Sequence, residues 1–249
     1  MSRLWLLPVL LLLGGCLPGV SPGRTPAETK TIVFPGGWIQ GQWVKAWDGE
    51  FALAAAPLAA DARDDVLGVL YPYSWLRYRS GQLLSDVHLP YKGRWLHARP
   101  QWIVGLERGL YDESDGWLDY PATDAVNTAR GVFWVGKEAL WRNREKLLEG
   151  SFVRVLYLDG RVLALEKNDA VFWPGEERID LPEDWSKADA AEDLYLLTPK
   201  GVVRMTSSGF VVGQYPGSFE QIAVSQNGDV WLAKDNEVLH LNKYLEEAW

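Results

Sequence analysis

The sequence predicts an all-β fold: a β-propeller of six or seven short four-stranded blades. Three observations carry that expectation. Apolar pairs recur at Trp38-Ile39, Leu70-Tyr71, Trp102-Ile103, Trp134-Val135, Leu163-Ala164, Tyr195-Leu196 and Trp231-Leu232, with gaps of 32, 32, 32, 29, 32 and 36 residues. Most of these anchors are followed, across a short polar turn, by a second apolar cluster, as at Leu140-Trp141 and Val238-Leu239. Two such runs split by a tight turn are the signature of a β-hairpin. Prolines then close five of the units, Pro57, Pro90, Pro121, Pro182 and Pro216, at 19 to 21 residues from their anchors. Proline cannot donate to a ladder and suits the end of an outer strand. Repeats of roughly 20 to 50 residues belong to solenoids, propellers or arrays. Period-two alternation rich in Trp, Val and Tyr disfavours helical repeats. Radial stacking of four-stranded sheets leaves only short, protected edges.

The N-terminus gives an address. One positive charge at Arg3 precedes an apolar run over residues 4–13, and Gly14-Gly15 stand before Cys16. That order predicts a secretory signal over residues 1–15, with an apolar run too short to span a bilayer as a helix. The tetrapeptide Leu13-Gly14-Gly15-Cys16 resembles the lipobox of bacterial lipoproteins. The resemblance implies cleavage before Cys16, diacylglycerol on its thiol and acylation of the new amine. Cys16 is the one cysteine of the chain, so the folded domain has no disulfide. Residues 16–30 then comprise the lipidated cysteine and a tether rich in Pro, Gly and Thr. Residues 31–249 form a single propeller domain. The formal charge of −8 becomes −9 once Arg3 leaves with the signal. An acidic surface argues against nucleic acid and anionic head groups as partners.

The units follow in order. Thr31-Ile-Val-Phe34 is a strand by composition, either the inner strand of the first unit or the outer strand of the last. In the second case the ring closes by pairing the two chain ends in one blade. Residues 59–65 are a charged loop or an inner strand. Residues 137–149 (KEALWRNREKLLE) are the one place where a helix competes with the strand reading. The fifth unit turns at Asp159-Gly160 between two alternating runs, among the strongest hairpin signals. Alanines recur just before the anchors, at Ala98, Ala129, Ala190, Ala191 and Ala223. Small side chains there suit strands crowded round an axis. The seventh unit, with Asn227-Gly-Asp-Val-Trp231, is similar to repeats of the two-component-regulator sensor propellers and the streptogramin-lyase-like propellers. The resemblance implies the fold, and repeats of this kind serve many functions.

Chemistry-bearing patterns are sparse. His88, His97 and His240 lie in three different units, and the single thiol is committed to lipid. No zinc-ligand spacing and no Gly-x-Ser-x-Gly stretch emerges. His97 is the candidate for the central axis. Residues 112–116 (DESDG) fail the EF-hand pattern, with Trp117 where glycine belongs and Thr123 where glutamate belongs. Asp61, Asp64 and Asp65 read as a charged loop. Trp95, Trp102, Trp117, Trp173 and Trp185 are candidates for an exposed docking cluster on one rim.

The expected function is that of a membrane-anchored, non-catalytic binding or scaffold module in the cell envelope, for a protein or small ligand. Its expected contacts are the membrane, through the N-terminal lipid, and a protein partner. No cofactor, metal site or catalytic residue is assigned, and the ligand-binding residues are unknown. The alternative is a lactonase- or lyase-like propeller enzyme with an axial metal or histidine.

Overall fold

Seven antiparallel sheets stand round an axis in a computed structural model that describes residues 30–248. Blade 1 comprises β1 (Thr31–Phe34), β2 (Gly37–Gln40), β3 (Trp43–Ala46) and β4 (Gly49–Ala52). Blade 2 comprises β5 (Ala59–Arg63), β6 (Val66–Leu70), β7 (Ser74–Arg79) and β8 (Gln82–His88). Blade 3 comprises β9 (Gly93–His97), β10 (Ile103–Leu106), β11 (Leu110–Asp112) and β12 (Gly116–Leu118). Blade 4 comprises β13 (Asp124–Thr128), β14 (Gly131–Gly136), β15 (Ala139–Arg142) and β16 (Glu145–Glu149). Blade 5 comprises β17 (Arg154–Leu158), β18 (Arg161–Leu165), β19 (Asp169–Trp173) and β20 (Arg178–Asp180). Blade 6 comprises β21 (Lys187–Ala190), β22 (Leu194–Thr198), β23 (Gly201–Met205) and β24 (Val211–Pro216). Blade 7 has, among the described residues, three strands, β25 (Gln221–Val224), β26 (Val230–Lys234) and β27 (Glu237–Leu241). The blade count is therefore seven.

Every anchor pair lies on the second strand of its blade or at that strand's edge, as with Tyr71 just past β6 and Trp102 just before β10. The first strand of each blade is innermost, so the strands beginning at Thr31, Ala59, Gly93, Asp124, Arg154, Lys187 and Gln221 face the axis. Seven apolar clusters fill the seven junctions between neighbouring blades. The junction of blades 7 and 1 holds the smallest fully buried set, Val33, Ala223, Trp231 and Ala233. Ala98 and Ala223 are buried on or beside inner strands, as the crowding argument expects, whereas Ala129 is exposed in the turn after β13.

Three alternatives left open by the sequence are decided. Residues 59–65 are the inner strand β5 and its turn, not a loop. Residues 137–149 are no helix. Lys137 and Glu138 both take positive φ, 53° and 56°, in the tight turn between β14 and β15. Beyond it, Leu140 faces Leu148 and Trp141 faces Lys146, so the register shifts by one residue. Such a bulge sets two residues against one. It lets the adjacent Leu147 and Leu148 both pack on the core of blades 4 and 5, which in the sequence imitates helical spacing. The ring does not close by sharing a blade between the chain ends. Thr31–Phe34 pairs with Gly37–Gln40 inside blade 1. The fourth strand of blade 7 is only begun, by a bridge between Leu241 and Glu247 and by Ala248 N donating to His240 O at 2.9 Å. Closure instead uses packing, a hydrogen bond from Thr31 Oγ1 to Asn236 Oδ1 at 3.5 Å, and the side chain of Gln221. Its Oε1 accepts from Val33 N at 3.3 Å, and its Nε2 donates to Thr31 O.

Candidate functional site

Inner strands put alternate side chains into the axis, and in blades 2 to 6 these include charged groups. Asp61 on β5, Asp124 on β13 and Asp189 on β21 occupy equivalent roles in blades 2, 4 and 6. Each accepts the backbone N–H of the next blade's inner segment: Asp61 from Ala98 at 2.8 Å, Asp124 from Val155 at 2.9 Å, and Asp189 from Val224 at 2.7 Å. Other groups join most of the remaining blades. His97 Nε2 meets Asp124 Oδ1 at 2.7 Å, Arg154 Nε donates to Ala188 O at 2.9 Å, and Gln221 joins blade 7 to blade 1. Arg99 forks onto both oxygens of Asp189 at 2.9 and 3.0 Å and also donates to Ala190 O. Hydrogen bonds between ionised groups are about twice as strong as neutral ones.

The surroundings pull two of these carboxyls in opposite directions. Burial, the largest influence on Asp61, raises its pKa above 3.8, and the charge of Asp189 adds to this against the pull of Arg99 and His97. Burial also pushes on Asp124, but Arg154, His97 and the Val155 amide together hold it below 3.8. The charges leave little space between them: the void that Asp61, His97, Arg99, Arg154 and Asp189 enclose is about 30 Å³. That is room for a water molecule or two and not for a substrate.

Above this plug the propeller opens. The turns between first and second strands form a mouth with two cavities. One, of about 650 Å³, lies over the seam of blades 7 and 1, lined by Trp38, Trp47 and Trp231 with Lys45, Ser225, Asn227, Asp229 and His240. The other, of about 540 Å³, reaches over blades 5 and 6 to Tyr157, Asp159 and Glu192. Arg63, Asp64, Arg99 and Gln226 line both cavities, which therefore adjoin. Arg99 is thus the floor of the mouth and a member of the axial network. Cavities of several hundred Å³ with aromatic walls and a few placed polar groups are the usual form of a ligand site.

His97 is at the axis, where the sequence places it, stacked on Trp95 with ring centroids 4.9 Å apart. His88 is exposed at the end of β8, and His240 stacks on Trp231. Among the described residues no group of three or more His, Cys, Asp or Glu side chains is arranged to hold a metal ion. Asp112 closes its own turn by accepting from Ser114 N and Asp115 N. The five tryptophans considered as candidates for a rim cluster are scattered, most of them packed within or between blades. Trp102 is core, Trp95 packs within the junction of blades 3 and 4, Trp173 lies against Phe133, Trp185 donates to Lys167 O, and Trp117 sits beside Tyr91 on the outside of blade 3. Cys16 lies outside the described residues.

No protein-family model matches the chain, and no curated protein matches it by sequence. Solved structures do match it. PorZ of Porphyromonas gingivalis, described as an essential bacterial surface component of the type-IX secretion system, superposes with a TM-score of 0.65 at 9% identity over 89% of this chain. This chain spans 38% of PorZ's length. Hsv2 of Kluyveromyces lactis gives 0.54 at 9% identity over 72% of this chain and 71% of its own. The computationally designed protein Ika8 gives 0.53 at 13% identity over 85% and 82%. The likeness is one of fold. The mouth residues described above are features of this chain's own sequence.

Proposed function

We propose that this protein is a lipid-anchored propeller of the cell envelope that acts as a non-catalytic binding module and recognises its ligand or partner with the mouth. The observation that carries the proposal is the contrast between the axis and the mouth. The axis is sealed by paired, hydrogen-bonded charges round a void of about 30 Å³. The mouth directly above it offers two adjoining cavities of about 650 and 540 Å³. An enzyme of the lactonase or lyase kind would draw on His97 and Asp124. Their side chains are committed to each other and to neighbouring blades below Arg99, where a substrate does not fit.

The anchor is the N-terminal part of the same proposal. Cys16 as the lipid attachment point and residues 16–30 as the tether hold the propeller at the membrane. One acyl chain gives marginal binding, and stable anchoring takes more than one; a di- or triacylated cysteine meets that need. Cys16→Ser is expected to convert a membrane-bound protein into uncleaved precursor or soluble material, read by fractionation and intact mass. An unlipidated mature chain beginning elsewhere than Cys16 contradicts the anchor. For the mouth, alanine at Trp47 and Asp229 is expected to abolish capture of an envelope partner that Trp117→Ala still captures. Equal capture by both variants contradicts the mouth as the recognition face.

A further inference from the structure

We infer that the larger cavity of the mouth is a carbohydrate site, taking a neutral oligosaccharide with one sugar ring against the exposed indole of Trp47. The inference rests on the mouth being the recognition face and adds the chemical class of what it holds. Trp47, which follows β3, presents the exposed indole of the cavity, while Trp38 on β2 and the buried Trp231 on β26 line it from the two sides of the seam between blades 1 and 7. Two of the three rings are already covered: His240 stacks on Trp231 with centroids 4.5 Å apart and planes 10° from parallel, and Lys45 Nζ lies 5.3 Å from the Trp38 ring centroid. Trp47 is seated over Gly36, whose φ is +98°; a Cβ there would come within 2.0 Å of the indole. Trp47 nevertheless keeps 44% of its surface exposed, although an apolar side chain of this size gains by burial.

The polar side of the cavity is built from planar amides and carboxylates already held in position. Asn227 Nδ2 donates to Asp229 Oδ2 at 2.9 Å, and Asp229 N donates to Ser225 Oγ at 3.0 Å. Gln226 stands beside them. Each cation of the lining is matched by a carboxylate: Lys45 with Glu50 at 3.2 Å, Arg63 with Asp64 at 3.5 Å, and Arg99 with Asp189 at 2.9 Å. A phosphate or other polyanion therefore meets no unpaired positive charge in the lining. A sugar fits both sides. Its C–H face is apolar and matches the electron-rich face of an indole, and its hydroxyls both donate and accept, as amide and carboxylate groups require. The adjoining cavity beyond Arg63 and Asp64 gives further sugar units a path across the mouth.

The test uses the full-length protein in detergent micelles, with maltohexaose, cellohexaose and N-acetylchitohexaose as probes, read by calorimetry and tryptophan fluorescence. At least one hexasaccharide is expected to bind saturably, with Trp47→Ala weakening it at least tenfold and Trp117→Ala leaving it unchanged. No binding of any of the three at millimolar concentration overturns the inference, as does binding that Trp47→Ala leaves intact. Envelope-partner capture by the same Trp47→Ala protein separates the two claims. If sugars fail to bind while that variant loses its partner, the carbohydrate assignment falls and the mouth stands. If sugars fail to bind and capture is unchanged, both fall.

Discussion

Removal of Thr31–Phe34 is expected to abolish the cooperative unfolding transition of the domain. All four residues are buried, they pair with β2, and they pack against β25 at the seam. Ile32, Val33 and Phe34 each contribute about 1.5 to 3 kcal/mol by burial. Gly37–Gln40 and Gln221 would also lose their hydrogen-bond partners. A domain stable by about 5 to 15 kcal/mol does not absorb that loss. Circular dichroism melting would show a broad, non-cooperative change, and a melting temperature within a few degrees of the intact protein contradicts the role of β1. Gln221→Ala tests the seam more gently. It removes two hydrogen bonds at a cost of about 1 to 3 kcal/mol, or roughly 2 to 12 °C for a domain of this size. Closure by a shared blade would leave Gln221 no such role.

Asp124→Ala is expected to cost about 3 to 5 kcal/mol, the range for breaking a buried, hydrogen-bonded charge pair. Asp124 is 4% exposed, and its loss strands His97, Arg154 and the Val155 amide together. Asp124→Asn keeps the shape and one acceptor and should cost about half as much. The pH profile separates Asp124 from Asp61. The folded-state pKa of Asp124 lies below 3.8, so its stabilisation is present above the unfolded value and is lost as pH falls through the depressed one. Asp61 has the opposite sign. Its pKa is raised, so its contribution is greatest when it is protonated and is lost as pH rises from the unfolded value through the raised one. Melting temperatures from pH 3 to 8 should therefore show Asp61→Asn removing a decline on the rising side of pH 3.8. Asp124→Asn should flatten the acid limb below it. Parallel profiles for the two variants would contradict the opposed environments.

Much of the ring is legible in the sequence because the anchors mark second strands, where both faces are covered and apolar pairs are required. Seven anchors were visible, but assigning Thr31–Phe34 needed the third dimension: four buried residues suit an inner strand of blade 1 or an outer strand of blade 7 equally well. The bulge opposite Leu140 could not be seen either, since two adjacent leucines on one face look helical in one dimension. The axial network was missed for a different reason. Against 33 acidic residues no single aspartate stands out. Asp-Ala occurs at positions 61, 124, 169 and 189, and the signal is the spacing of the first, second and fourth by 63 and 65 residues, twice the repeat. A carboxylate beside a small residue, once every second blade, is what a clasp on the next blade requires. Trp38 and Trp231 read in the sequence as anchors of the repeat, and only the closing of the ring brings them together beside Trp47.

The most direct test of the mouth as the recognition face is site-specific photo-cross-linking in intact cells. A benzophenone amino acid is placed at position 47 or 226 in the mouth, or at position 117 on the outside of blade 3. The account predicts a discrete adduct from positions 47 and 226 and none from 117. An adduct from 117 alone, with the mouth positions silent, would contradict it.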